Sequence, residues 1–146
     1  MTDFCSLHIR SDVHAKLPEG FLKSRRKFQI VFEDNESPER LACFDRLARK
    51  GVHKRVGLPR YQWTFSSEGF VNGFDVYEHL RWVLDQVHAD FLLSQLQNLG
   101  FQCLLQFYWE GNGTGGGPLV TPQIAELLVQ HSVGLQFGFY LEVEKD

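Results

Sequence analysis

The feature that most constrains the fold of this chain is a stretch, residues 101–110, whose side chains alternate in character. One row is aromatic and aliphatic, whereas the other row includes Gln102, Gln106 and Glu110. Successive side chains of a β-strand point to opposite faces, so this pattern predicts a strand with one buried face and one open face. Other strands are predicted in the same way at residues 28–33, 61–65 and 135–141.

Helix signals separate these strands. Ser37 followed by Pro38 predicts a helix start, because Ser caps the first turn and Pro fits within it. Gly51 predicts where that helix ends. Further helices are predicted where apolar residues recur at helical spacing, at residues 75–87, 90–98 and 122–133. The predicted order is therefore β-α-β-α-α-β-α-β.

Alternating strands are typical of an antiparallel sheet with one covered face, whereas buried parallel strands are apolar on both faces. The sequence thus predicts an α+β fold, a mostly antiparallel sheet of four or five strands with helices packed on one face, ferredoxin-like in outline. A fifth strand at residues 4–10 would direct Cys5, Leu7 and Ile9 inward. The chain length fits a single domain, residues 1–146, with a core at 28–142 and a variable N-terminal strand and surface loop at 1–27.

Composition and charge exclude several classes of protein. The chain is 43% hydrophobic with 13 Phe, which is a globular composition, and no apolar run approaches the ~20 residues of a membrane span. No signal pattern precedes the first strand, so we expect a cytoplasmic protein with reduced cysteines. Residues 1–60 carry 13 Lys and Arg against 8 Asp and Glu, whereas residues 61–146 carry 2 against 10. Such polarity can steer a charged partner.

No signature of catalysis or metal binding stands out. The chain has no Cys-x-x-Cys, His-x-x-x-His or Gly-x-Ser-x-Gly. We interpret His79 as a half-buried, hydrogen-bonded residue at the edge of its helix, and His131 as a packed residue in a last helical turn. The sequence assigns no catalytic residue, cofactor or metal ion, and a protein without enzymatic activity is favoured.

A glycine-rich loop, from Gly111 to Pro118, formally matches the G-x-G-x-x-G of nucleotide sites. Pro118 and Pro122 delay the next helix, so its amides and dipole would not meet a pyrophosphate. The preceding strand also lacks the two apolar faces of a Rossmann strand. A flexible connection is the favoured interpretation. An anion-binding or small-molecule domain that uses this loop, an enzyme included, is the alternative function.

Trp82 is predicted to lie opposite the apolar stripe of its helix, beside Glu78, Arg81 and Asp85. A Trp removes ~150–250 Å² from water when it is buried. We therefore expect Trp82 either to be covered by residues 11–27 or another element, or to anchor a partner, since Trp is over-represented at interfaces. Further partner-binding candidates lie on the predicted open face of the sheet, namely Tyr108, Glu110 and Tyr140.

Short motifs follow one another in a recognisable order: Trp63-x-Phe65 in a strand, Tyr77-Glu78-His79-Leu80 in a helix, Gly100 before a strand, Gly117-Pro118-Leu119-Val120-Thr121-Pro122 before a helix, and Tyr140 in the last strand. This order resembles a bacterial family of stand-alone domains, the domain of unknown function family 4279. The resemblance covers about residues 28–141. It implies the α+β fold and a bacterial setting, and it brings no catalytic residues.

The leading hypothesis is a non-catalytic domain that binds another protein through the Trp82 helix and the polar sheet face. A bacterial immunity or inhibitor protein is its concrete form. The chain is expected to be a monomer or a homodimer paired through strand edges or sheet faces. Nucleic acid is disfavoured as a partner, because the predicted outer row of Gln and Glu contains no Lys or Arg. The basic stretch from Arg46 to Arg60 is either a solvated helix end or an anionic docking patch.

Overall fold

The computed structural model describes residues 3–23, 28–51, 58–111 and 117–141. The elements in these residues follow the predicted order, including the additional N-terminal strand. They are β1 (Phe4–Ser11), β2 (Val31–Asp34), α1 (Pro38–Arg49), β3 (Tyr61–Ser66), α2 (Val76–Asp85), α3 (Leu93–Asn98), β4 (Gln102–Gly111), α4 (Pro122–His131) and β5 (Leu135–Leu141). The α+β class is confirmed.

The strands form one five-stranded sheet in the order β2-β3-β1-β4-β5. Strand β1 is central and runs antiparallel to both β3 and β4, and β2 runs antiparallel to β3. Strands β4 and β5 are parallel, because helix α4 carries the chain back between them. The sheet is thus mostly antiparallel, as predicted.

The core lies on one side of this sheet, which we call the inner face; the opposite side is the outer face. Helices α2, α3 and α4 contribute to the core. Its buried strand residues include Leu7, Ile9, Trp63, Phe65, Leu105 and Phe107, and its buried helix residues include Leu80, Val83, Leu93, Leu96, Ile124 and Leu127. Phe137 is on the same face but lies at the sheet edge, where 39% of it is exposed.

Helix α1 begins where the sequence predicts but contributes no buried residue. The Ser37 hydroxyl accepts a hydrogen bond from the Arg40 backbone N–H at 3.3 Å, which caps the helix. Arg40 also lies 3.7 Å from the Glu33 carboxylate of β2. The helix is therefore held at the β2 end of the sheet, and its apolar residues are at most half-buried. Helical periodicity alone did not reveal this shallow position.

The segment after β1 differs from the surface loop expected at residues 11–27. Phe21 is fully buried, and its ring meets that of Phe91 edge-on at 5.8 Å. Two backbone hydrogen bonds fix the segment beside the end of α2, from Lys23 N to Gln86 O at 3.0 Å and from His88 N to Phe21 O at 2.8 Å. Phe21 is a single buried aromatic residue without apolar neighbours at regular spacing, so the sequence pattern did not predict its burial.

Candidate protein-binding surface

Trp82 in α2 is half-buried between two other aromatic rings. The Phe70 ring stacks on it with centroids 4.8 Å apart and planes 16° apart. The Phe28 ring meets it edge-on at 5.6 Å. Phe28 precedes β2 and Phe70 lies in the loop between β3 and α2, so other elements cover part of the indole, as one of the two sequence interpretations expects.

The exposed part of Trp82 lines a shallow groove of about 430 Å³ along α2, which we call the Trp82 groove. Its lining residues are Phe70, Val71, Asn72, Tyr77, Glu78, Arg81, Trp82 and Asp85. The structure therefore brings together three of the predicted partner-binding residues, Trp82, Glu78 and Asp85. They meet because α2 presents successive turns of its solvent-facing side to the same groove.

The rim of the groove is acidic. Arg81 Nε lies 3.3 Å from Asp85 Oδ1, an i,i+4 pair in which both side chains are about half exposed. Glu78 is exposed and has no ion pair among the residues that the structure describes. The groove is thus lined by one guanidinium and two carboxylates. An exposed pair of this kind contributes only ~0–1 kcal/mol to stability. The charges at the rim can therefore bind a partner with little loss of stability.

A buried hydrogen-bond relay holds the loop between β3 and α2. Ser67 Oγ accepts from the Cys5 backbone N–H at 2.9 Å and lies 2.7 Å from His79 Nδ1. His79 Nε2 lies 3.0 Å from the Gly73 carbonyl oxygen. That carbonyl can only accept, so Nε2 carries the imidazole proton, and the Ser67 hydroxyl donates to Nδ1. Every polar group of the relay is satisfied.

A serine hydroxyl next to a histidine nitrogen is also the arrangement of an activated nucleophile. Here both side chains are fully buried, and the far nitrogen of His79 faces a backbone carbonyl instead of a carboxylate. We therefore interpret the relay as structural. The sequence expected His79 to be half-buried and hydrogen-bonded; the hydrogen bonds are present and the burial is complete. Ser67 carried no sequence signal, since a Ser after a strand is common.

The loop that the relay holds presents an exposed aromatic residue, Phe74, next to the start of α2. Its side chain is 82% exposed. It directly precedes Asp75, whose carboxylate caps α2 by accepting from the Tyr77 N–H at 2.9 Å. An apolar residue in this place commonly packs back onto the first turn of the helix. Phe74 does not, so sequence reasoning alone gave no reason to select it.

The other predicted partner-binding residues lie on the outer face, away from the Trp82 groove. The Tyr108 ring stacks on Phe4 at 4.9 Å, and its hydroxyl donates to Gln106. Glu110 and Tyr140 are paired in register across β4 and β5, and the Tyr140 side chain is not among those that the structure describes. The six predicted residues therefore belong to two surfaces on opposite sides of the sheet.

The outer face also carries a cation, Arg10, that the predicted outer row did not include. Strand β1 is central, and its register sets Arg10 between Gln62 and Gln102. The expectation of an outer face without Lys or Arg is therefore wrong, because the position of β1 in the sheet is a long-range property. Next to it, burial and the Arg10 charge lower the pKa of His8. That nucleic acid is disfavoured as a partner stays a prediction.

Comparison with known proteins adds no identification. No family model, curated protein or solved structure matches this chain. The resemblance to the domain of unknown function family 4279 therefore stays a prediction. Among the residues that the structure describes, no group of three or more His, Cys, Asp or Glu could hold a metal ion, and no helix is long and apolar enough to cross a membrane.

Two remaining predictions fall partly outside the described residues. In the loop from Gly111 to Pro118, residues 112–116 are not described, so the predicted anion or small-molecule site stays a prediction. Residues 52–57 of the basic stretch are also outside. Its last member, Arg60, lies 3.4 Å from Glu36 and 3.7 Å from Asp34, which largely offsets its charge.

Proposed function

We propose that this chain is a non-catalytic protein-binding domain whose Trp82 groove binds a partner rich in basic side chains. The observation that carries the proposal is the exposed Phe74, which lies in the same loop that supplies Phe70 to the groove. The buried side chains of Ser67 and His79 hold this loop. Ordered, exposed aromatic residues next to a groove are typical of interaction sites. Phe74 and Trp82 would supply the apolar contacts at the centre of such an interface.

The charge of the surrounding surface supports a basic partner. Glu78 and Asp85 line the groove, and Asp75 adjoins Phe74. Residues 61–146 as a whole carry 2 Lys and Arg against 10 Asp and Glu. Opposite charges across an interface accelerate association and exclude partners of like charge. Salt is therefore expected to weaken the complex mainly through slower association.

An inhibitor or immunity protein is the concrete form of this proposal, by functional analogy. A protein that acts on nucleic acid presents Lys and Arg to the phosphates, and an acidic aromatic surface is complementary to such a site. Covering that site requires no catalytic group on the inhibitor. The buried state of Ser67 and His79 agrees with this, since the pair that most resembles a catalytic arrangement is closed to substrate.

Site-specific photo-crosslinking tests the proposal. A photoreactive phenylalanine analogue at Phe74 is expected to form an adduct with one protein of the source cells, at a segment rich in Lys and Arg. The matched control carries the analogue at Val129 on α4, which is similarly exposed at 76%. Charge reversal by Glu78→Lys with Asp85→Lys should abolish the adduct at position 74. No adduct, equal adducts at both positions, or an adduct indifferent to charge reversal would contradict the proposal.

A further inference from the structure

Strand β5 (Leu135–Leu141) forms one edge of the sheet, and half of its backbone groups face away from β4. Leu105 N donates to Gly134 O at 3.3 Å, and Leu105 is paired in register with Leu135. In a parallel ladder, residues that bond the neighbouring strand alternate with residues whose N–H and C=O point away. The N–H and C=O groups of Phe137 and Phe139 therefore point to the open edge.

Among the residues that the structure describes, this edge has none of the sequence features that normally block strand addition. Protective features are charged side chains, Pro, bulges or very short strands. Strand β5 has the sequence L-Q-F-G-F-Y-L, and Phe137 and Phe139 are 39% and 46% exposed. The opposite edge strand, β2, has only 4 residues and carries Glu33 and Asp34. Only β5 of the two edges is suited to accept a strand.

The occupant that fits this edge is a second copy of β5. The sequence is nearly symmetric about Gly138, with Phe on both sides of it and Leu at both ends. Antiparallel pairing centred on Gly138 would set Phe137 opposite Phe139 of the second copy. Both residues have backbone groups that point to the open edge and side chains on the inner face. Each Phe137–Phe139 pair would therefore exchange two hydrogen bonds, and the two pairs would bring four Phe rings together.

We propose that β5 is a homodimer interface, in which two sheets join into one continuous sheet across a two-fold axis. The strand carries no charge, so two copies meet there without like-charge contact. Taking ~200 Å² for a Phe side chain, the four rings have ~350 Å² of exposed area to bury. A standard stable interface buries ~1,600 Å², so the dimer is expected to be weak, with a dissociation constant in the micromolar range or above.

Sedimentation velocity from about 5 to about 500 μM tests this interface. The unmodified chain is expected to pass from monomer to dimer over that range. Phe139→Lys places a charge at the edge and should raise the dissociation constant at least about tenfold. Val129→Lys adds the same charge on α4, 76% exposed, and should leave it unchanged. Trp82→Ala should also leave it unchanged, which separates this interface from the Trp82 groove.

Amide hydrogen exchange of the unmodified chain gives a second measurement that needs no folded variant. Exchange at Phe137 and Phe139 should slow as concentration rises, because their N–H groups become paired between the two copies. The Val129 amide should not respond. A monomer at the highest concentration, a dimer that survives Phe139→Lys, or protection that is independent of concentration would overturn the proposal.

Discussion

Replacing Ser67 with Ala removes one oxygen from the buried relay and leaves two groups without a partner. The Cys5 N–H loses its acceptor at 2.9 Å, and His79 Nδ1 loses its donor at 2.7 Å. An unsatisfied buried polar group costs about 1–3 kcal/mol, so the two groups together should lower the free energy of unfolding by about 2–6 kcal/mol in Ser67→Ala. That is a large share of the ~5–15 kcal/mol typical of a domain.

Urea unfolding followed by Trp fluorescence measures this loss. With a slope of about 2 kcal/mol per molar urea, the midpoint should fall by about 1–3 M. Ser66→Ala is the matched control, because Ser66 is next in the chain but belongs to the outer face. Among the described residues, its hydroxyl accepts one exposed contact, from Glu68 N at 3.4 Å, so its removal should cost less than about 0.5 kcal/mol.

Equal midpoints for Ser67→Ala and Ser66→Ala would refute the role assigned to the relay. A lower urea midpoint in Ser67→Ala alone, together with faster hydrogen exchange of the Gly73 and Phe74 amides in that variant, would support it. The relay would then be what orders the loop beside the Trp82 groove. Circular dichroism of both variants checks that the native fold is retained.

Three further outcomes follow from individual contacts. Gly138→Ala places a Cβ 2.5 Å from the Tyr108 ring and should cost about 1–3 kcal/mol in urea unfolding, whereas Gly134→Ala meets no atom within 4 Å and should cost less. Burial raises the pKa of Cys103 to about 12, so iodoacetamide at pH 8 should modify it only after unfolding, as mass spectrometry can show. Burial lowers the pKa of His131 from its ordinary value of 6.5, so below that pH the unfolded chain binds a proton that the folded chain does not. The free energy of unfolding should therefore fall as the pH drops below 6.5, and it should fall less in His131→Gln.

Local patterns in the sequence predicted the elements of this fold well. Alternation in β4 and the helix start at Ser37 and Pro38 depend on residues close together in the chain, so they can be recognised directly. Strand order cannot be recognised in this way, because it depends on which distant strands pair. The central position of β1 was therefore missed, and the predicted outer row left out the residues of β1, Arg10 among them.

The candidate surface was predicted in part for the same reason. Trp82, Glu78 and Asp85 share one side of a helix, and helical spacing alone brings them together. The relay that positions the adjoining loop joins Ser67 to Cys5, 62 residues away, and to His79, 12 residues away. Contacts of this range require the folded chain, so Ser67 and Phe74 could be selected only from the structure.

The dissociation constant of the complex with the protein crosslinked at position 74 is the most direct measure of the proposed function. Phe74 is 82% exposed, so Phe74→Ala should not disturb the fold. Calorimetry should give binding at least about tenfold weaker for Phe74→Ala, equivalent to about 1.4 kcal/mol, and an unchanged value for Val129→Ala. Equal affinities for the two variants would show that the Trp82 groove is not where this protein binds its partner.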